Sequence, residues 1–332
     1  MGLWLRSSVL VQGQFATKKL NDIRFDTQFA ELNVSGQVLK NVKVVGDFYA
    51  NGLSGQVQVL DAYAAADITD TTHFSAGQIL IPVDRANKAG PFFMIPWNYP
   101  GVFSVGGTVV PVTPKEGVLG RSTGGILWGD VGDGLFKYYL GAFVPSLQES
   151  PLYSARLNLA LIGKETGFGQ SATFYGAQNI VAVGVGGQYQ KNGSVGPAPA
   201  TGNAPRDNFS EVNGDVLAEF RVGGNGAFAT AEADYYHYQG QYNPAKDQFS
   251  LLAAYATPTI GIGQIQPMLR YQYAKNGSQT EAALDAQVAY LLRQMRLRLI
   301  ANYQLTRLQN APGTGNDLTG NALQFAVQAM FF

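Results

Sequence analysis

The spacing of the strand-like segments constrains the fold more than any other feature of this sequence. Sixteen segments alternate apolar and polar residues as β-strands do, and long gaps fall only on every second connection. The longest gaps are Asp84–Gly120, Lys191–Asn208 and Leu308–Gly320, which follow the fifth, ninth and fifteenth segments, whereas the even-numbered connections are predicted to be tight. Long loops on one rim and short turns on the other are typical of an up-and-down barrel in an outer membrane. A soluble β-sandwich has no reason to sort its connections in this way.

Composition supports the same prediction. The chain has 332 residues, of which 46% are apolar and only 14% are charged, whereas soluble domains average about 25% charged residues. No run approaches the roughly 18 apolar residues of a spanning helix, and sixteen strands of about 10 membrane residues each would use roughly 160 residues. The sequence therefore predicts an all-β fold, a single transmembrane antiparallel β-barrel of 16 strands over residues 1–332.

The polar faces of the predicted strands supply the candidate pore-lining residues. In Met295–Arg307, apolar residues occupy one phase of the alternation and polar residues the other, and the two preceding segments repeat this pattern. The candidate basic residues are Arg6, Arg270, Arg293, Arg296 and Arg298, and the candidate acidic residues are Asp215, Glu219, Glu232, Asp234 and Asp285. Acidic residues in the segments around 215–222 and 227–238 would then face basic residues in the segments from about 264 to 307 and Arg6 near the start of the chain. Two interpretations stay open: a transverse field across the lumen, or charges that only solvate a polar interior.

The connection Asp84–Gly120 is predicted to fold into the barrel and constrict it. It holds five prolines, and its apolar and aromatic content is unsuited to open water. The aromatic residues assigned to this constriction are Phe92, Phe93, Trp97, Tyr99 and Phe103. We expect the loop either to line the lumen or to pack against a neighbouring subunit.

Residues from about Asp22 to Val144 resemble the phosphate-selective porins, the O and P type of Gram-negative outer-membrane channels. The resemblance is carried by four short motifs in order: Asp61-Ala62-Tyr63, Phe74-Ser-Ala-Gly77-Gln78-Ile-Leu-Ile-Pro82, Arg121-Ser-Thr-Gly124 and Tyr139-Leu-Gly141-Ala-Phe143. It implies a 16-stranded barrel, usually a homotrimer, with the loop after strand 5 folded inward. Leu80 stands where those porins commonly carry a Lys, and Lys+Arg and Asp+Glu number 23 each. No phosphate ligand is therefore carried over.

These observations predict a water-filled diffusion channel in the bacterial outer membrane for small hydrophilic solutes or ions, including anions, with weak charge selectivity. The alternative is a structural or partner-binding barrel, which would be plugged, adhesive or wrapped around a lipoprotein or cytochrome. The expected partners are outer-membrane lipid and two further copies of the chain. The absence of Cys excludes disulfides and thiolate metal sites, and a net charge of zero gives no attraction for nucleic acid. No cofactor is expected.

An enzyme is not expected either. The two histidines, His73 and His237, lie near predicted strand ends. His237 is the local candidate for a catalytic residue, but it falls in the opposite phase to Glu232 and Asp234. A catalytic histidine needs partners that converge on one face. Both histidines are interpreted as rim residues.

Overall fold

The computed structural model describes residues 2–14, 19–51, 56–98, 104–105, 108–109, 120–145, 150–197, 199, 202–243, 245–292, 296–310 and 317–331. For β1 and residues 19–29 of β2 the description covers the backbone. Within these ranges no helix is long and apolar enough to cross a membrane. The strands are β1 Gly2–Gln14, β2 Lys19–Leu39, β3 Val42–Asn51, β4 Gln56–Thr69, β5 Thr72–Leu80, β6 Ser104–Val105, β7 Thr108–Val109, β8 Arg121–Val131, β9 Phe136–Val144, β10 Leu152–Ile162, β11 Ile180–Val195, β12 Arg206–Arg221, β13 Phe228–Gln239, β14 Asp247–Ala256, β15 Gly263–Asn276, β16 Gln279–Leu292, β17 Leu297–Gln309 and β18 Leu318–Phe331.

One antiparallel, up-and-down sheet contains every long strand. Each strand pairs with its neighbour along the chain, and β5 pairs with β8 because the intervening β6 and β7 form a separate two-stranded hairpin. β1 pairs with β2 on one side and with β18 on the other, so the hydrogen-bonded order returns to its first strand. Paired ladders on both sides of each strand leave few backbone groups unsatisfied, as a strand in lipid requires.

The outer face of the sheet is apolar and the inner face is polar, as the alternation of residues in the sequence predicts. On β15, Leu269 and Tyr271 are 59% and 40% exposed on the outer face, whereas Arg270 and Gln272 are 2% and 1% exposed on the inner face. The same phase holds on β16 and β17, where Leu284 and Leu299 are exposed outside and Asp285 is buried inside. A folded soluble protein buries its apolar face; this sheet exposes it. The alternation predicted from sequence is confirmed on these strands.

Two predictions are wrong for the connection 163–179, between β10 and β11. It follows the eighth strand of the large sheet and is therefore an even-numbered connection. The prediction that every even-numbered connection is tight is wrong here. The residue pattern over Ala172–Gln190 predicts one strand, but β11 begins only at Ile180, because Ala172, Thr173 and Tyr175 are buried inside the sheet instead of extending it. The residues at 172–175 fit the pattern of a strand equally well, which is why the sequence predicts a strand there.

A third correction concerns the start of β12. The pair Asn213-Gly214 is a two-residue hairpin signal and predicts a strand that starts only at Asp215, but the pair lies inside β12, which begins at Arg206. Asn213 and Gly214 are paired with Tyr236 and Tyr235 of β13. Pairing on both sides suppresses a turn that the local residues alone favour.

Candidate functional site

The connection after β5 enters the space enclosed by the sheet. Its first part forms helix α1, Arg85–Ala89, and a 3-10 turn over Pro91–Phe93. The side chain of Asp84 caps α1, with Oδ1 accepting from the backbone N–H of Asn87 at 2.7 Å, which satisfies one of the free N–H groups at a helix start. All five residues of α1 are buried. A surface loop would not bury its whole first turn.

Glycines on β11 make room for this loop. A Cβ added to Gly186 would lie 1.9 Å from the carbonyl oxygen of Val83, and one added to Gly184 would lie 2.3 Å from Nη2 of Arg156. Any larger residue would displace either the loop or the arginine. The Gly184–Gly187 run therefore serves close packing of the loop against the wall, as expected for small residues on a tightly packed strand.

A buried ionic network joins the loop to the wall and to the connection 163–179. Arg85 contacts Oε1 of Glu165 at 2.7 Å and Oδ1 of Asp215 at 3.0 Å, and its Nη2 donates to Asn158 at 3.0 Å. Arg156 contacts the other oxygen of Asp215 at 2.7 Å. Burial alone would raise the pKa of Glu165, but the adjacent Arg85 guanidinium holds it below its ordinary value. Two guanidinium groups thus balance two carboxylates.

The loop then crosses to the opposite wall. Arg298 on β17 donates to the carbonyl oxygens of Met94 at 2.7 Å and Ile95 at 2.6 Å. Gln287 on β16 accepts from the backbone N–H of Trp97 at 2.9 Å and donates to Ile95 at 2.8 Å. Contacts of Arg270 with Asn98 and of Gln328 with Phe92 extend the attachment to β15 and β18. The segment 81–98 therefore spans from the β10–β12 wall to the β15–β18 wall.

Apolar side chains fill the space around this crossing. Trp97 packs with Tyr175 of the 163–179 connection and with Phe228 and Ile300 of the wall, all less than 5% exposed. On the other side, the amino group of Lys88 lies 3.2 Å from the ring centre of Phe168. Burial, followed by the nearby Lys137 and Arg156, lowers the pKa of Lys88 well below its ordinary value. Two inward segments, 81–98 and 163–179, therefore pack on each other inside the sheet.

The candidate acidic residues divide into paired and unpaired groups. Asp215 belongs to the network above, and Asp285 pairs with Arg270 at 3.0 Å. Glu219 accepts hydrogen bonds from Thr173, Thr230 and the backbone of 174–176. Glu232 and Asp234 face the interior without an ion pair in the part of the chain that the structure describes.

The candidate basic residues whose side chains the structure describes do not form a free basic wall. Arg270 and Arg298 face the interior, but a carboxylate engages the first and carbonyl oxygens engage both. Arg296 lies at the turn before β17 and is exposed. Arg293 lies outside the described residues, and for Arg6 on β1 only the backbone is described. Local pairing of the described arginines therefore weakens the transverse electric field across the lumen that the sequence suggested.

The aromatic residues assigned to the constriction loop also differ in burial. Phe92 and Trp97 are 1% exposed, and Phe93 is partly buried against Ala172. Tyr99 and Phe103 lie outside the described residues. Sequence reasoning missed Arg85, Arg156 and Glu165, the charged residues that hold the loop. The charged pair Asp84-Arg85 at the start of an apolar loop was the sequence feature that could have indicated these residues.

The histidines occupy separate places. Nδ1 of His237 lies 2.8 Å from Asp247 on the outer face, where Tyr235 also donates to Asp247 at 2.9 Å, while Asp234 points to the interior. His73 pairs with Asp67 at 2.7 Å beside a turn. Among the described residues no group of three His, Cys, Asp or Glu side chains is arranged to hold a metal ion.

Asp84 should make stability depend on pH. Burial raises the pKa of its carboxyl to about 7 from the ordinary 3.8. Between these values the folded protein binds more protons than the unfolded chain, so the free energy of unfolding should fall as pH rises, by up to about 1.4 kcal/mol per pH unit. Asp84→Asn keeps an acceptor for the cap and should flatten this slope in denaturant titrations at about pH 5 and about pH 7. Equal slopes in both proteins would contradict the assignment.

No family model and no curated protein matches the sequence. Solved structures do match the fold. In vitro folded OmpT of Vibrio cholerae, an outer membrane protein in a trimer form, has 13% identity and a TM-score of 0.60, with 100% of this chain and 99% of that chain covered. The anion-selective porin of Comamonas acidovorans has 10% identity, a TM-score of 0.59 and full coverage of both chains. Pseudomonas putida OprB has 10% identity and a TM-score of 0.62, with 99% and 93% covered. The chain thus has the fold of outer-membrane β-barrel proteins, among them porins.

Proposed function

We propose that this chain is a closed sixteen-stranded barrel in the bacterial outer membrane and forms a narrow diffusion channel for small hydrophilic solutes or ions. The observation that carries the proposal is the inverted sheet, apolar outside and polar inside, with a loop bound across its interior. The β1–β18 ladder supports closure. The proposal includes weak charge selectivity, since Arg85, Arg156 and Arg270 are each paired with an interior carboxylate and the chain carries 23 acidic and 23 basic residues. It assigns no catalytic role.

Kinship with the O and P type porins is part of the same proposal and rests on the motifs between Asp22 and Val144. So is a homotrimeric assembly, supported by the trimer form of the similar OmpT structure. Cross-linking in native membranes would test the assembly. A ladder that ends at one copy would contradict the trimer and leave the channel proposal standing.

Residence in lipid is testable on the outer face. Leu269 lies mid-strand on β15 and is 59% exposed. In a membrane, Leu269→Arg should lower the free energy of unfolding by about 2–4 kcal/mol, because an arginine at the bilayer midplane must be desolvated. In a soluble protein the same exposed substitution would cost within about 0.5 kcal/mol. Unfolding in lipid vesicles, with Lys164→Arg at an exposed turn as the control, separates these outcomes.

A plugged, partner-binding barrel is the second candidate, and one observation favours it. Interior polar side chains are almost inaccessible to water: Gln266 is 0%, Gln287 2% and Asn302 4% exposed. A wide water-filled pore would leave its lining residues accessible. The two segments that pack inside the sheet account for part of this burial.

Single-channel recording in a planar bilayer distinguishes the two candidates. The diffusion channel predicts stepwise, ohmic conductance from the purified full chain, smaller than that of a wide general porin. A plugged barrel predicts correctly folded protein, judged by circular dichroism, that inserts without current. Absence of steps from folded, inserted protein would overturn the channel proposal.

A further inference from the structure

Unpartnered polar atoms cluster on the inner face of β13 and β14. Tyr236 and Gln248 are direct cross-strand partners, and Asp234 lies two residues from Tyr236 and opposite Ser250. Among the described residues, Oδ1 of Asp234, the hydroxyl of Tyr236 and both polar atoms of the Gln248 amide have no hydrogen-bond partner. These residues are 5%, 1% and 1% exposed. A buried polar group without a partner costs about 1–3 kcal/mol, so four such atoms on two paired strands favour an occupant, water or solute, that supplies the bonds.

The balance of donors and acceptors defines the occupant. Asp234 Oδ1 and Gln248 Oε1 are acceptors, and the Tyr236 oxygen accepts as well as donates, whereas Gln248 Nε2 is the one dedicated donor. A ligand rich in donors satisfies more of this set than a ligand rich in acceptors. An organic ammonium group has three donors and no acceptor.

Charge favours the same class. Neither Asp234 nor its strand neighbour Glu232 forms an ion pair within the described ranges, and the guanidinium groups of Arg85 and Arg270, whose charges act on Glu232, are already paired with Glu165, Asp215 and Asp285. An unpaired buried carboxylate is costly, and either protonation or a bound cation removes that cost; an ammonium group would supply the cation.

The aromatic ring of Tyr236 adds a third feature. Tyr236 and Tyr238 stack with ring centres 6.3 Å apart and nearly parallel planes. The faces of tyrosine rings attract cations within about 6 Å. An aromatic surface next to carboxylate oxygens suits a cation carried on a short carbon chain better than a bare metal ion.

We propose that Asp234, Tyr236 and Gln248 form a binding subsite for small organic ammonium solutes on the channel wall. The inference rests on the proposed function, since it needs a lumen that solutes can enter. It goes beyond weak selectivity by naming the class of solute that this wall retains, and it predicts retention of amines over neutral or anionic solutes of equal length.

Three probes of equal chain length test the class. Putrescine is a dication, 1,4-butanediol is neutral and succinate is a dianion. Calorimetric titration of the full-length protein in detergent micelles should show saturable binding of putrescine and none of the other two at the same concentration. Equal binding of butanediol or succinate, or no binding of putrescine, would overturn the subsite.

Three variants test the residues. Asp234→Asn keeps the shape, removes the charge and should weaken putrescine binding about tenfold or more. Tyr236→Phe keeps the ring and should weaken it roughly two- to tenfold, which covers the case in which the first variant fails to fold. Asp70→Asn removes the same charge at an exposed turn and should leave binding unchanged. An equal loss in the Asp70 variant would reduce the effect to bulk charge and reject the subsite.

Bilayer recording distinguishes failure of this inference from failure of the channel proposal. Protein that conducts but binds no putrescine retains the channel and loses the subsite. Protein that binds putrescine with the expected dependence on Asp234 but passes no current retains the subsite and loses the channel.

Discussion

Replacing Asp215 by Asn is expected to lower the free energy of unfolding by about 3–5 kcal/mol, because it removes one partner of a buried ionic network. Asp215 contacts Arg85 at 3.0 Å and Arg156 at 2.7 Å, and all three side chains are at most 2% exposed. The variant leaves two buried guanidinium groups to share the single carboxylate of Glu165. Equilibrium unfolding in denaturant, with the protein in lipid or detergent, measures the change.

The exposed pair Lys164 and Asp133 provides the matched control. Its side chains are 57% and 68% exposed, and exposed ion pairs contribute about 0–1 kcal/mol. Asp133→Asn should therefore change stability far less than Asp215→Asn. Similar losses in the two variants would show that the Arg85 network does not hold the loop to the wall.

Deleting residues 92–109 is expected to raise single-channel conductance several-fold. The deletion removes the segment that contacts Arg298, Gln287 and Gln328 and that contributes Trp97 to the apolar packing inside the sheet. It keeps α1 and the Arg85 network, so the wall on that side stays intact. Conductance of a short pore follows its narrowest cross-section, and we propose that the crossing segment sets that cross-section.

Deletion of residues 198–203, in the connection between β11 and β12 on the same rim, controls for loss of loop length alone. It should leave conductance near the wild-type value. If folded protein lacking 92–109 conducts like the wild type, the crossing segment does not limit the current. If the wild type is silent and the deletion conducts, the segment is a plug, and the partner-binding interpretation is favoured.

The strand pattern follows from local sequence because lipid and interior impose opposite demands on alternate residues. On β15 to β17, Leu269, Leu284 and Leu299 face outward, and Arg270, Asp285 and Arg298 face inward, as the period of two predicts. The apolar, proline-rich composition of Asp84–Gly120 likewise indicated a loop unsuited to open water. These properties belong to single residues and their immediate neighbours.

The pairing of charges depends on contacts between residues far apart in sequence. Arg85 meets Asp215 across 130 positions, and Arg298 meets Ile95 across 203. No local pattern distinguishes an arginine that binds loop carbonyls from one that lines a free basic wall, and apolar residues such as those at 172–175 fit either a strand or an inward turn. The sequence by itself determined the fold class, the faces of the strands and the apolar loop. Only the tertiary structure decided where the loop binds and which charges remain unpaired, because close approach and burial set both.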